Sequence, residues 1–225
     1  MEIRQKVIQT LQEKSSTKQM VFRHTKSVFQ NLKEVVQEVA TDLSDQVNPS
    51  NSSVVINYSE HGEYECRLTF SGDVLVFIMH TNVFNFPPEH SLNSTVYVKK
   101  DHLAAYCGVI HVYNFLSDSF KYQRTNDIGT MLARIFVNKD NHFFVEGDKE
   151  FSFRYKDFSN SDLDREVMKE IVCVATDYAL EYDLQTPPFD MVNEISTGEI
   201  MQWQVEQKAR TIKQMGYKAR REEKK

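Results

Sequence analysis

Between residues 22 and 43 the apolar side chains fall at strict three-four spacing: Phe22, Thr25, Phe29, Leu32, Val36, Val39 and Leu43, with Val21, Val28 and Val35 as a third column beside them. The spacing predicts one long amphipathic helix, and its width decides what the helix packs on. A homodimeric coiled coil needs only a two-column seam, so a homodimer through this stripe is the narrower reading. Three columns suit a broad apolar surface, and the helix is expected to lie across a sheet of its own chain. Ser16 with Gln19 three residues on is spaced as a capping box, which predicts a fresh start after a short helix over residues 1–13. Asn48-Pro-Ser-Asn-Ser-Ser should end the long helix.

From residue 53 the period becomes strand-like. Val54 to Tyr58 is β-branched and aromatic, Tyr64, Cys66, Leu68 and Phe70 alternate with polar residues, and Val74 to Met79 is apolar throughout, as in a central strand covered on both faces. Further strands are predicted at Thr95–Lys99, Met131–Val137, His142–Glu146 and Phe151–Tyr155. Leu103–Leu116 fits buried helix or strand, and its Val109-Ile-His-Val-Tyr core favours strand with a helical turn before it. Two helices should follow: one from Asp162 to Leu184 capped by Ser161, and one opened by the capping box Ser196-Thr-Gly-Glu199 and closed at Gly216.

Helices, a strand meander and helices again define an α+β class: a single curved antiparallel sheet of about seven to eight strands, flanked by long N-terminal and C-terminal helices. The expected organisation is one α+β domain over residues 1–216, with helices in 1–47, the sheet in 53–156 and helices in 161–216, then a flexible basic tail at 217–225. The pattern is not the strand-helix alternation of a nucleotide-binding sheet.

Charge is divided. Residues 205–225 hold eight Lys or Arg against three Glu, a net of +5, and with −5 overall the preceding body carries −10. An acidic body repels RNA and anionic membrane, so contact with RNA phosphates would fall to the tail, and no membrane association is expected. The first twenty residues hold no continuous apolar run of signal-peptide length, and Cys66, Cys107 and Cys173 sit in apolar contexts as reduced, core-filling thiols; both point to the cytoplasm.

Established catalytic motifs are missing from the sequence. There is no phosphate-binding glycine loop, no nucleophile elbow and no metal-ligand spacing among the seven His, so no cofactor or metal is expected, although His80, His111 and His142 could meet from distant strands. The most polar part of the predicted sheet runs from Lys121 to Glu146. An even-numbered hairpin loop at Asn138–Asn141 would place Ala133, Ile135, Val137, His142, Phe144 and Glu146 on one face and Arg134, Phe143 and Val145 on the other. On that register Arg134 needs a carboxylate or an anionic ligand, and His142 with Glu146 could move a substrate proton, with Arg124 and Asp127 at the strand entry.

Two functions follow. The preferred one is a non-catalytic cytoplasmic binding or regulatory protein that engages a protein partner through helix faces and the basic C-terminal segment, with Trp203, Lys208, Arg210, Lys213, Lys218, Arg220 and Arg221 as contacts. The other is a small-molecule enzyme or sensor with a pocket around Arg124, Asp127, Arg134, His142 and Glu146, in which His142, Glu146 and Asp127 would be the catalytic candidates.

Overall fold

A computed structural model describes residues 2–147 and 149–206. Its first feature is a helical rod: α1 (Glu2–Thr10), a π-helical turn at Leu11–Ser15, and α2 (Ser16–Val47). The expected break at residues 15–17 does not occur. Ser15 and Ser16 keep helical backbone angles and Ser15 makes no capping hydrogen bond; the hydroxyl of Thr17 instead donates to the Glu13 carbonyl at 2.8 Å. The extra residue of the π-turn absorbs the sequence irregularity without ending the helix.

Six strands form one antiparallel sheet in chain order: β1 (Ile56–Glu60), β2 (Glu65–Phe70), β3 (Asp73–Met79), β4 (Cys107–Leu116), β5 (Thr130–Asn138) and β6 (Phe143–Gly147). The α+β class and the meander are as the sequence implies, and the strand count is lower by two segments that are helical. Thr95 caps α3 (Val96–Lys100), accepting from the Val98 amide. Phe151–Tyr155 belongs largely to α5 (Lys149–Arg154): Phe151 and Tyr155 are buried one helical turn apart while Phe153 between them is 75% exposed. An aromatic at every second position also satisfies i, i+4, and burial at 151 and 155 alone is the helical solution.

One face of the sheet carries the main core. Cys66, Leu68 and Phe70 of β2, Leu75, Phe77 and Met79 of β3, Ile110 and Val112 of β4, Ala133, Ile135 and Val137 of β5 and Phe143 and Val145 of β6 pack with Phe29, Leu32, Val36 and Val39 of α2. Helix α6 (Arg165–Leu180) completes the layer with Met168, Ile171, Val172 and Ala175. Arg165 and Lys169 reach Glu34, Glu38 and Asp42 across the α2–α6 seam. The α2 stripe is thus a core contact rather than a coiled-coil seam. Its Lys33, itself buried, donates to Glu60 at 3.1 Å and to the Gly62 carbonyl at 3.0 Å, tying α2 to the β1–β2 turn, where Gly62 supplies a φ of +82°.

Three further expectations shift. Helix α6 begins after Asp164, whose carboxylate accepts from the Val167 amide at 2.9 Å, because residues 161–163 are drawn alongside β6: the Phe143 amide donates to the Ser161 carbonyl and the Leu163 amide to the Asn141 carbonyl. The helix also ends at Leu180, short of Leu184. Cys66 and Cys107 are buried as expected, whereas Cys173 lies on the exposed side of α6. The capping box at residue 196 forms as spaced, Ser196 Oγ accepting from the Glu199 amide at 3.1 Å and Glu199 from the Ser196 amide at 2.8 Å, and opens α7 (Thr197–Glu206). Gly216 and the basic tail lie outside the described residues.

Candidate functional site

The described residues cover the second face of the sheet only in part. At the β4–β6 side a loop layer, including a 3-10 turn at Ser91–Ser94 and α3, packs Phe86, Leu92, Tyr97, Val98 and Ala105 against Val109, Phe136, Phe144 and Phe158. At the opposite end α4 (Ser117–Lys121) brings Phe120 over the sheet, its ring 5.3 Å from Phe115 and 3.9 Å from the Arg67 guanidinium. Between them runs a row set by register, in which Glu65 of β2, Ile78 of β3, His111 of β4, Arg134 of β5 and Glu146 of β6 stand side by side.

That register corrects the expected one. Val137 pairs with Phe143, so five residues, 138–142, close the hairpin. An odd loop exchanges the faces of β6 relative to an even one. Asn141, with φ of +67°, makes the tight turn, and the Asn138 side-chain oxygen accepts from the amides of Asp140 and His142. Phe143 and Val145 therefore join Ile135 in the core, while Arg134 faces Glu146 directly and forms an ion pair with it. The His90 imidazole lies 3.7 Å from the other Glu146 carboxylate oxygen.

The five residues expected to converge fall into three places. Arg134 and Glu146 meet across the β5–β6 ladder. His142 stands past the end of β5, stacked on Tyr97 with ring centroids 4.7 Å apart and bonded through Nδ1 to the Phe158 carbonyl at 3.0 Å. Arg124 and Asp127 form a partly buried pair at 3.8 Å before β5 begins, Asp127 also accepting from the Ser119 hydroxyl at 2.7 Å. Asn138 lies four residue rises beyond Arg134 along β5, roughly 13 Å, so a proton shuttle between His142 and Glu146 is not assembled.

In their place the open face gathers two of the three histidines that the sequence allowed to meet from distant strands, together with aromatic rings. His80 and His111 lie with ring centroids 6.1 Å apart, His111 continues to Tyr113 at 5.9 Å, and Phe84 meets His80 edge-on at 4.8 Å. Burial, and then the electrostatic influence of His80 and Arg134, hold the His111 imidazole below its ordinary value. A period-two reading of Val109–Phe115 would have put His111, Tyr113 and Phe115 on one face; no local signal marks His90. His142 does not join His80 and His111, and among the described residues no group of three or more His, Cys, Asp or Glu is arranged to hold a metal ion.

Of the expected partner contacts, Trp203 lies on α7, and Lys208, Arg210, Lys213, Lys218, Arg220 and Arg221 lie outside the described residues. No described helix is long and apolar enough to cross a membrane. Comparison with family models, curated proteins and solved structures finds no match to the chain.

Proposed function

We propose that this chain is a non-catalytic binding protein that engages a protein partner through helix-borne apolar surface. The observation that carries the reading is an apolar face of α1 and the start of the π-turn that the other described residues leave exposed. Ile3, Val7 and Leu11 recur every four residues at 81%, 52% and 58% exposure, and no residue of the helix is buried. Three large apolar side chains aligned on one exposed helix face are the anchor pattern of a helix laid into an apolar groove of another protein. An intracellular partner fits the three free thiols, and the basic segment after residue 206 would add charge to the contact.

The test is a quantitative pull-down with the wild-type chain, Val7→Asp and Arg134→Ala. A single protein recovered in stoichiometric amount by wild type and Arg134→Ala, and lost with Val7→Asp at unchanged thermal stability, supports the reading. Equal recovery by all three removes α1 from it.

A second reading rests on the open face. Arg134 is held between Glu146 and His111 on a strip lined by Ile78, Tyr113 and His80, an arrangement suited to a small ligand with a polar group over Arg134 and a flat body over the rings. Chemical-shift perturbation confined to His80, His111 and Tyr113 on screening small carboxylates would favour it over the helix reading.

A further inference from the structure

The two edges of the sheet are treated differently. Along the outer side of β6 the chain folds back on itself: the Val145 amide donates to the Tyr155 carbonyl at 3.0 Å, the Phe143 amide to the Ser161 carbonyl at 3.2 Å, and His142 and Asp162 form an antiparallel bridge. Among the described residues strand β1 has no such cover. The bonds just beyond its ends, from the Ser71 amide to the Val55 carbonyl and from the His61 amide to the Glu65 carbonyl, set the phase of the β1–β2 ladder. Hydrogen-bonded pairs alternate along antiparallel strands, so Asn57 and Ser59 bond to β2, and Ile56, Tyr58 and Glu60 aim their amides and carbonyls away from the sheet. Among the described residues no hydrogen bond is made to those outward groups. The strand is short and holds one charge, Glu60, which Lys33 of its own chain pairs; it has no proline, lysine or arginine and keeps a regular register without a bulge.

We propose that β1 pairs with β1 of a second copy of this chain, making one continuous twelve-stranded sheet across a two-fold axis. The strand Ile56-Asn-Tyr-Ser-Glu60 is self-complementary in the antiparallel sense. Centred on Tyr58, the pairing sets Tyr58 opposite Tyr58 and Ile56 opposite Glu60 of the second copy, so each outward amide meets a carbonyl. On the face away from α2, Asn57 stands opposite Ser59, a neutral polar pair. No like charges oppose each other, and Glu60 is already neutralised by Lys33. Because the β6 edge is occupied by residues 155–163, growth stops at two copies, and the interface closes as a dimer instead of propagating as a fibre. This surface is separate from the α1 stripe.

Light scattering coupled to gel filtration tests it. Wild-type protein at high micromolar concentration should show twice 26.3 kDa. Asn57→Lys with Ser59→Lys opposes lysine to lysine twice across the axis, and should weaken the dimer by roughly tenfold. Both side chains point away from the core, so the variant should remain folded by circular dichroism. Asn57→Lys with Ser59→Glu opposes lysine to glutamate twice and should restore the dimer. A wild-type monomer at that concentration overturns the proposal, as does a dimer whose affinity is the same in both double variants.

Discussion

The Cα of Gly108 on β4 lies directly beneath Thr25 of α2: a β-carbon built on Gly108 would overlap the Thr25 hydroxyl and come within 2.7 Å of its Cβ and Cγ2. The helix sits this low because Thr25 is small for its stripe and its hydroxyl is satisfied locally, donating to the Val21 carbonyl at 2.8 Å. Gly108→Ala should therefore lift α2 from the sheet and cost about 1 to 3 kcal/mol, seen as a lower urea midpoint. Thr25→Ala in the same chain should recover part of the loss. If Gly108→Ala alone is neutral, the close approach does not hold the two layers.

That contact also shows where the sequence is readable. The stripe from Phe22 to Leu43 declares a helix on a sheet, and Val74–Met79 declares a central strand, because burial over many residues repeats a period. The meaning of Thr25 within the stripe depends on a glycine 83 positions later, and no period carries that. The same limit explains the site. Arg134 visibly requires a carboxylate, but whether it faces Glu146 or Val145 turns on one residue of hairpin length, and Asn141 at positive φ decides it. Phe151–Tyr155 is a third case: alternation and i, i+4 spacing coincide over five residues, and only the exposure of Phe153 separates them.

The thiols should react in two classes. Cys66 and Cys107 are buried, and burial pushes the Cys66 thiol up to about 12 and that of Cys107 up as well; Cys173 is exposed on α6, although partial burial raises its thiol too. With an aromatic disulfide reagent at about pH 8, native protein should release one equivalent of chromophore and denatured protein three. Three equivalents released at one rate from native protein would place all the cysteines within reach of solvent.

Stability should fall on mild acidification, with His111 contributing. Its imidazole is held below the ordinary value of 6.5 by burial and by His80 and Arg134, so in the window between its folded value and 6.5 the unfolded chain binds more protons. Neutral His111 thus contributes stability in full above 6.5, and that contribution is lost as pH falls through 6.5 towards the folded value. Urea midpoints taken at about pH 7.5 and about pH 5.5 should differ less for His111→Gln than for wild type. Equal differences in the two proteins would assign the acid sensitivity to other groups.

Asn138, the last residue of β5, should be the most sensitive polar position in the loop layer. It is fully buried and all its hydrogen-bonding atoms are used: Nδ2 donates to the Tyr97 hydroxyl at 2.9 Å and to the Ala104 carbonyl at 3.1 Å, and Oδ1 accepts from the amides of Asp140 and His142 at 2.9 and 3.1 Å. Tyr97 in turn donates to Asp140 and stacks on His142, so one amide joins the β5–β6 turn to the layer that half-covers the open face. Asn138→Ala leaves these buried donors and acceptors unpaired and opens a small void, a loss of about 3 kcal/mol or roughly 6 to 12 °C in melting temperature. Asn138→Asp keeps the shape and both acceptor bonds but sets a carboxylate oxygen against the Ala104 carbonyl, and should lose a comparable amount at neutral pH and recover part of it as the carboxyl is protonated. Calorimetry of both variants at two pH values decides the matter: if Asn138→Asp is as stable as wild type at neutral pH, the Nδ2 bonds do not anchor the loop layer.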